Sequence, residues 1–146
     1  MRELRGTIIT SIITTLKGTK QFNLVKPYHG ELDRYRKQTQ IKEQTFPAEV
    51  NLQTPFALVI SKDREVDGPK GNSIKLRHNI SIYVGTANPH DFSSEALPES
   101  YGLLEACVDA LRPIRGLTLV NEGLYLAKTD LFIVYDQQWF IHEIAY

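Results

Sequence analysis

The segment Tyr101-Gly102-Leu103-Leu104-Glu105-Ala106-Cys107-Val108-Asp109-Ala110-Leu111-Arg112-Pro113 decides the fold class. Leu104, Val108 and Leu111 recur at helical spacing, and Leu103 and Cys107 widen the same apolar face. Pro113 ends the helix, because it lacks an N–H and restricts the residue before it. Beyond Gly116 the texture changes. Leu117-Thr118-Leu119-Val120, Leu131-Phe132-Ile133-Val134-Tyr135 and residues 139–146 are rich in β-branched and aromatic side chains. They predict three short strands, with Asn121-Glu122-Gly123 as a turn and Asp136-Gln137-Gln138 joining the last two. A helix packed on a small sheet is the economical arrangement.

Upstream, Leu4, Ile8, Ile12 and Leu16 share a face, with Ile9 and Ile13 beside them. That spacing predicts an amphipathic helix over residues 4–17 despite its β-branched content, with Gly18 as its stop. Phe22-Asn23-Leu24-Val25 reads as a short strand leading into a loop punctuated by Pro27 and Gly30. Residues 34–54 are polar and contain Arg34, Arg36 and Lys37, the pattern of an arm, a long loop or a helix. Pro55-Phe56-Ala57-Leu58-Val59-Ile60 is the clearest buried strand. Residues 61–72 form a charged, Gly-punctuated connection, and residues 75–84 a second strand. The two predict a hairpin with a long, mobile tip. In the second strand, His78 shares even parity with Leu76, Ile80, Ile82 and Val84, so it belongs on the apolar face. Thr86 to Ser100 reads as loop, with Ser100 as the cap of the following helix.

The chain has 146 residues, 42% apolar and 10% aromatic, which suits one globular domain of residues 1–146. No apolar run approaches the roughly 20 residues of a membrane span, and the start lacks a signal-peptide core. The single cysteine, Cys107, lies on an apolar helix face and reads as a small buried hydrophobe. Net charge is zero but unevenly spread. Residues 1–87 hold 14 Lys/Arg and 8 Asp/Glu, whereas residues 88–146 hold 3 and 9. Such a molecule has unlike faces that suit head-to-tail contact between copies. No basic block with interleaved aromatics suggests nucleic-acid binding, and neither nucleic acid nor membrane is an expected partner.

The sequence carries no phosphate-binding glycine loop, nucleophile elbow or zinc spacing. Asp63, Glu65 and Asp67 alternate with Lys62 and Arg64 without the glycine and closing glutamate of a calcium loop. Glu31 and Asp33 pair most simply with Arg34 and Arg36 at the surface. No catalytic, cofactor or metal residue is assigned. An alternative of another class is a small metal-dependent hydrolase or nucleic-acid-processing enzyme built on His29, Glu31 and Asp33.

Four segments together resemble a known family. Tyr28-His29-Gly30-Glu31-Leu32-Asp33 is similar to the Y-x-G-E-L-D signature of a small tail protein of Mu-like phages and prophages. Pro55 to Ile60 resembles its P-A-x-L-V strand, and Ile80-Ser81-Ile82-Tyr83-Val84 followed by Asn88 its F-x-V-Y-V segment. Residues 101–111 resemble its Y-x-L-L-E-x-V-x-x-x-L helix, while the polar segment 34–54 is longer than the family pattern. The resemblance implies a tail-terminator-like α+β domain, a mostly antiparallel or mixed sheet against two main helices. It also implies a virion protein, assembled in the host cytoplasm, that forms a hexameric ring at the head-proximal end of a contractile tail. Such a ring terminates tube and sheath growth and offers a surface to the head connector. A connector or minor tail protein is the alternative within the same assembly. Expected contact residues are Tyr28, Glu31, Asp33, Arg34, Arg36 and Lys37 in the loop and arm, and Lys62, Arg64 and Lys70 in the hairpin. Expected partners are further copies, tube and sheath proteins, and the head-completion protein, with no cofactor.

Overall fold

The computed structural model describes residues 4–32, 52–71, 73–87, 96–126 and 132–145. Helix α1 (Leu4–Gly18) precedes strand β1 (Leu24–Pro27), then β2 (Phe56–Lys70) and β3 (Ser73–Ala87). Helix α2 (Ala96–Leu111) follows, then β4 (Thr118–Leu126) and β5 (Phe132–Ala145). The five strands form one mixed sheet in the order β1-β2-β3-β5-β4, with β1 parallel to β2 and the other neighbours antiparallel. The chain is a single α+β domain of the predicted class.

Both helices pack on one face of the sheet. Ile8, Ile12 and Leu16 of α1, and Leu103, Leu104, Cys107 and Leu111 of α2, meet Ala57, Val59, Ile80, Ile82, Val84, Trp139 and Ile141. Alternation along each strand sends one parity to this core and the other to the opposite face. There Phe56, Leu58, Tyr83 and Val134 form a second cluster with Tyr28, Leu32 and Leu52. Gly85 is required at its place, because a Cβ there would fall 2.1 Å from the Phe56 ring. The β-branched residues of α1 do not prevent the helix, since tertiary burial of its apolar stripe outweighs a weak intrinsic preference. The helix ends at Gly18, but the left-handed residue of its exit is Lys20, at φ 59°.

Several sequence expectations are corrected. The first strand starts two residues later than expected, at Leu24. The charged connection 61–72 is not a loop: β2 continues through it to Lys70, paired residue by residue with β3. Alternating charge is compatible with a strand solvated on both sides, so polarity alone did not mark a turn there. Asn121-Glu122-Gly123 lies inside β4 and Asp136-Gln137-Gln138 inside β5. Ser100 is no cap. It lies in the first half of α2, fully buried, with its hydroxyl 3.2 Å from that of Thr86.

Gln137 explains why a polar triplet sits in mid-strand. Its side chain points to the helices and is fully buried. Its Nε2 donates to the Leu104 carbonyl at 3.1 Å and to Glu122 Oε2 at 2.7 Å, while its Oε1 accepts from Trp139 Nε1 at 2.8 Å. The neighbours Asp136 and Gln138 point to the other face, where Gln138 donates to Asp136 Oδ2 at 3.2 Å. Gln137→Leu strands the buried Trp139 N–H, and costs about 2 kcal/mol. Urea unfolding followed by Trp139 fluorescence checks this, with Gln138→Ala expected to cost under about 0.5 kcal/mol as a surface change.

Candidate functional site

The face of the sheet away from the helices carries Tyr28 and Lys62, two of the contact residues expected from the sequence. Tyr28 follows β1 and donates its backbone N–H to the Val59 carbonyl at 2.9 Å. Its ring stands edge-on to Tyr83, with centroids 4.9 Å apart, and Tyr83 tilts against Tyr125 at 4.8 Å. Three tyrosines thus cross the sheet from the end of β1 to β4. Edge-to-face pairs of this kind are favourable beyond their buried area. Tyr28, expected as a contact residue, is buried in the second core cluster instead.

Gly30, at φ 85°, lets the chain reverse after Tyr28. The reversal brings the His29 N–H to Glu31 Oε1 at 2.7 Å. Glu31 is not a surface carboxylate, being only 3% exposed, and among the described residues Lys26 lies beside it at 3.2 Å. It braces the loop from within. Asp33, Arg34, Arg36 and Lys37, and residues 34–51 of the expected arm, lie outside the described residues.

Lys62 stands at the border between body and arm. Its Nζ is 3.4 Å from Asp136 Oδ2 and 5.7 Å from the Tyr83 ring centroid. Burial opposes its charge, but the Asp136 carboxylate, and Tyr83 after it, raise its pKa above the usual lysine value. Beyond it, β2, β3 and the end of β5 continue as a three-stranded arm, with residues 74–79 of β3 paired to residues 140–145 of β5. Asn79 Nδ2 donates to Asp63 Oδ1 at 3.1 Å, and Arg77 Nε donates to Asn79 Oδ1 at 3.0 Å. The Arg77 guanidinium lies 4.0 Å from the Phe140 centroid, and His142 Nε2 meets Asp67 Oδ2 at 2.8 Å. Exposed pairs of this kind each contribute at most about 1 kcal/mol, so the network orients the arm more than it stabilises it. Arg64 is exposed on the opposite, helix-side parity, where Val66 is 68% exposed and Ile74 48%. Lys70 is the last residue of β2.

His78 is packed on the helix-side parity as expected, 1% exposed, with Nε2 3.1 Å from Glu143 Oε1. Among the described residues, no group of three or more His, Cys, Asp or Glu is placed to hold a metal ion. His29, Glu31 and Asp33 are not brought into a described constellation. No described helix is long and apolar enough to cross a membrane.

The feature that sequence reading missed is the edge formed by β4. Leu119, Val120 and Leu124 are 37%, 49% and 49% exposed there, and among the described strands nothing pairs with its outer side. A notch of about 230 Å³ opens beside it, lined by Val108, Arg112, Leu117, Thr118, Leu119 and Trp139. The signal was present in residues 117–126, which are largely apolar with one charge, but the turn assigned to residues 121–123 divided them.

No known family model matches the chain, and no curated protein does.

Cys107 tests the helix-side core. Burial, and then the nearby Glu122 carboxylate, push its thiol up to about 12 from the ordinary 9.0. A raised folded-state value means that the thiol favours folding fully below pH 9.0. That contribution is lost as pH rises towards 12. The native protein is therefore expected to resist iodoacetamide at mildly alkaline pH and to react promptly in denaturant, as followed by intact mass.

Proposed function

We propose that this chain is a structural protein of a contractile phage tail, a terminator that assembles as a ring at the head-proximal end. The observation that carries the reading is the pair of unlike open edges on one sheet. One is the apolar β4 with its notch, and the other is the charged outer half of β2. Unlike edges make heterologous contacts, and heterologous contacts form a ring where the rotation between neighbours closes. The likeness of residues 28–33, 55–60, 80–84 and 101–111 to the Mu-like tail protein supplies the phage context.

In this reading the two helices and the Gln137 links keep the body rigid. The arm and the β4 edge make the ring, and the faces left over meet tube and sheath on one side and the head connector on the other. The uneven charge supports stacking between unlike surfaces.

The test is the tail itself. Purified particles are expected to contain the chain in a fixed ratio to other tail components, with ring density at one end in electron micrographs. Deletion of the gene is expected to yield tubes of uncontrolled length. Particles that lack the chain, with tails of normal length after deletion, overturn the proposal.

A further inference from the structure

We infer that the helix-side trough between α2 and β4 receives a basic amphipathic helix from a partner protein. An apolar side chain of that helix enters the notch beside Trp139, and a Lys or Arg one turn away lies between Glu105 and Glu122.

The trough follows from a mismatch in width. Helix α1 packs on β1 and β2, and α2 on β3 and β5. Neighbouring strands lie about 4.8 Å apart and packed helices about 8–10 Å, so one helix covers about two strands. Two helices therefore leave a fifth strand uncovered, and β4, at the sheet edge beyond β5, is that strand. A third helix set beside α2 at the usual distance falls over β4.

Two walls frame the trough. One is the stripe Tyr101, Glu105 and Val108 of α2 with Arg112 after it, at spacings that keep all four on one side of the helix. Val108 and Arg112 line the notch with Leu119 and Trp139, so that side faces β4. The other wall is the helix-side parity of β4, where Leu119, Glu122 and Leu124 lie opposite Trp139, Gln137 and Tyr135 of β5. Tyr101 closes the far end, its ring centroid 5.9 Å from that of Tyr135. Exposed apolar surface with a polar rim marks an interaction site, and a groove of this form takes the apolar face of a helix.

Charge selects the helix. Gln137 ties the two walls at one level, because its Nε2 reaches both the Leu104 carbonyl and Glu122 Oε2. Glu105 follows Leu104, so the two carboxylates stand at that level on opposite walls. Both are exposed, and among the described residues neither has a Lys or Arg beside it. β4 and β5 contain no Lys or Arg. Arg112 lies at the notch end and is already beside Asp109, at 3.9 Å. Two carboxylates across an apolar trough favour a cation between them and disfavour an acidic partner. Their level is about 5–7 Å from that of the notch, by three residues of α2 from Val108 and two ladder steps of β4 from Leu119. Side chains three or four residues apart on one face of a helix have that separation. The described helices of a second copy do not serve, since the apolar faces of α1 and α2 are covered in their own core. An occupant over the sheet face leaves the outer backbone edge of β4 free, so the inference stands apart from the ring reading.

A displayed library of helical peptides, randomised along one face and selected against the full chain, tests the inference. Enriched peptides are expected to carry Lys or Arg three or four residues from Leu, Ile or Phe. They are expected to shift the emission of Trp139, the single tryptophan of the chain. Glu105→Lys, at an exposed position, is expected to weaken their binding at least about tenfold, since repulsion replaces attraction. Glu122→Gln keeps an acceptor for Gln137 and is expected to weaken binding about fivefold. Leu119→Asp is expected to abolish the Trp139 shift. Selection of acidic or uncharged peptides overturns the inference, as does binding that Glu105→Lys and Leu119→Asp leave unchanged, or no enrichment at all. Self-association of the chain in sedimentation that Glu105→Lys abolishes assigns the trough to a second copy and overturns it too.

Discussion

One buried amide joins the three parts of this fold that must not move relative to one another. Gln137 reaches the backbone of α2 at Leu104, the carboxylate of β4 at Glu122 and the indole of β5 at Trp139. A buried amide is costly unless its donors and acceptor are satisfied, and here both its nitrogen and its oxygen have partners. Satisfied in this way it is specific, because no other register of β5 would present it to all three. Hydrophobic packing of α1 and α2 supplies most of the driving force. The amide fixes which residues of β4 face outward, and so determines the character of that edge.

The sheet has two regimes. In the body, strands are covered on both faces, by the helices on one side and by the cluster of Phe56, Leu58, Tyr83 and Tyr28 on the other. In the arm, β2 and β3 run on past the helices with polar side chains on one face and Val66 and Ile74 exposed on the other. The arm is a three-stranded extension, because β5 pairs with β3 as far as Ile74. The Arg77–Phe140 and Asp67–His142 contacts link its strands side chain to side chain. Such an element is suited to ordering fully against a partner, which joins its construction to the assembly role proposed for the chain.

The helices, the buried half of β2, most of β3 and the place of His78 were legible from periodicity, because apolar spacing is read directly from burial. The errors share one cause. Charged residues 62–70, the Asn121-Glu122-Gly123 triplet and the Asp136-Gln137-Gln138 triplet were read as connections because polar runs usually are. Each is a strand whose side chains find partners that lie far away in sequence: Asp63 with Asn79, Glu122 with Gln137, Asp136 with Lys62. Local composition holds no record of such pairs. Glu31 was misjudged as a surface carboxylate for a similar reason, since its burial depends on how the loop after Gly30 folds back. The β4 edge was hidden by the false turn, and with it the notch beside Trp139.

The central claim is that unlike sheet edges join copies of this chain head to tail. A side-chain-resolution reconstruction of the assembled oligomer tests it most directly. The account predicts cyclic symmetry, with the β4 edge of each subunit buried against the arm of the next. An oligomer in which β4 faces solvent, or meets its own equivalent across a two-fold axis, would contradict it.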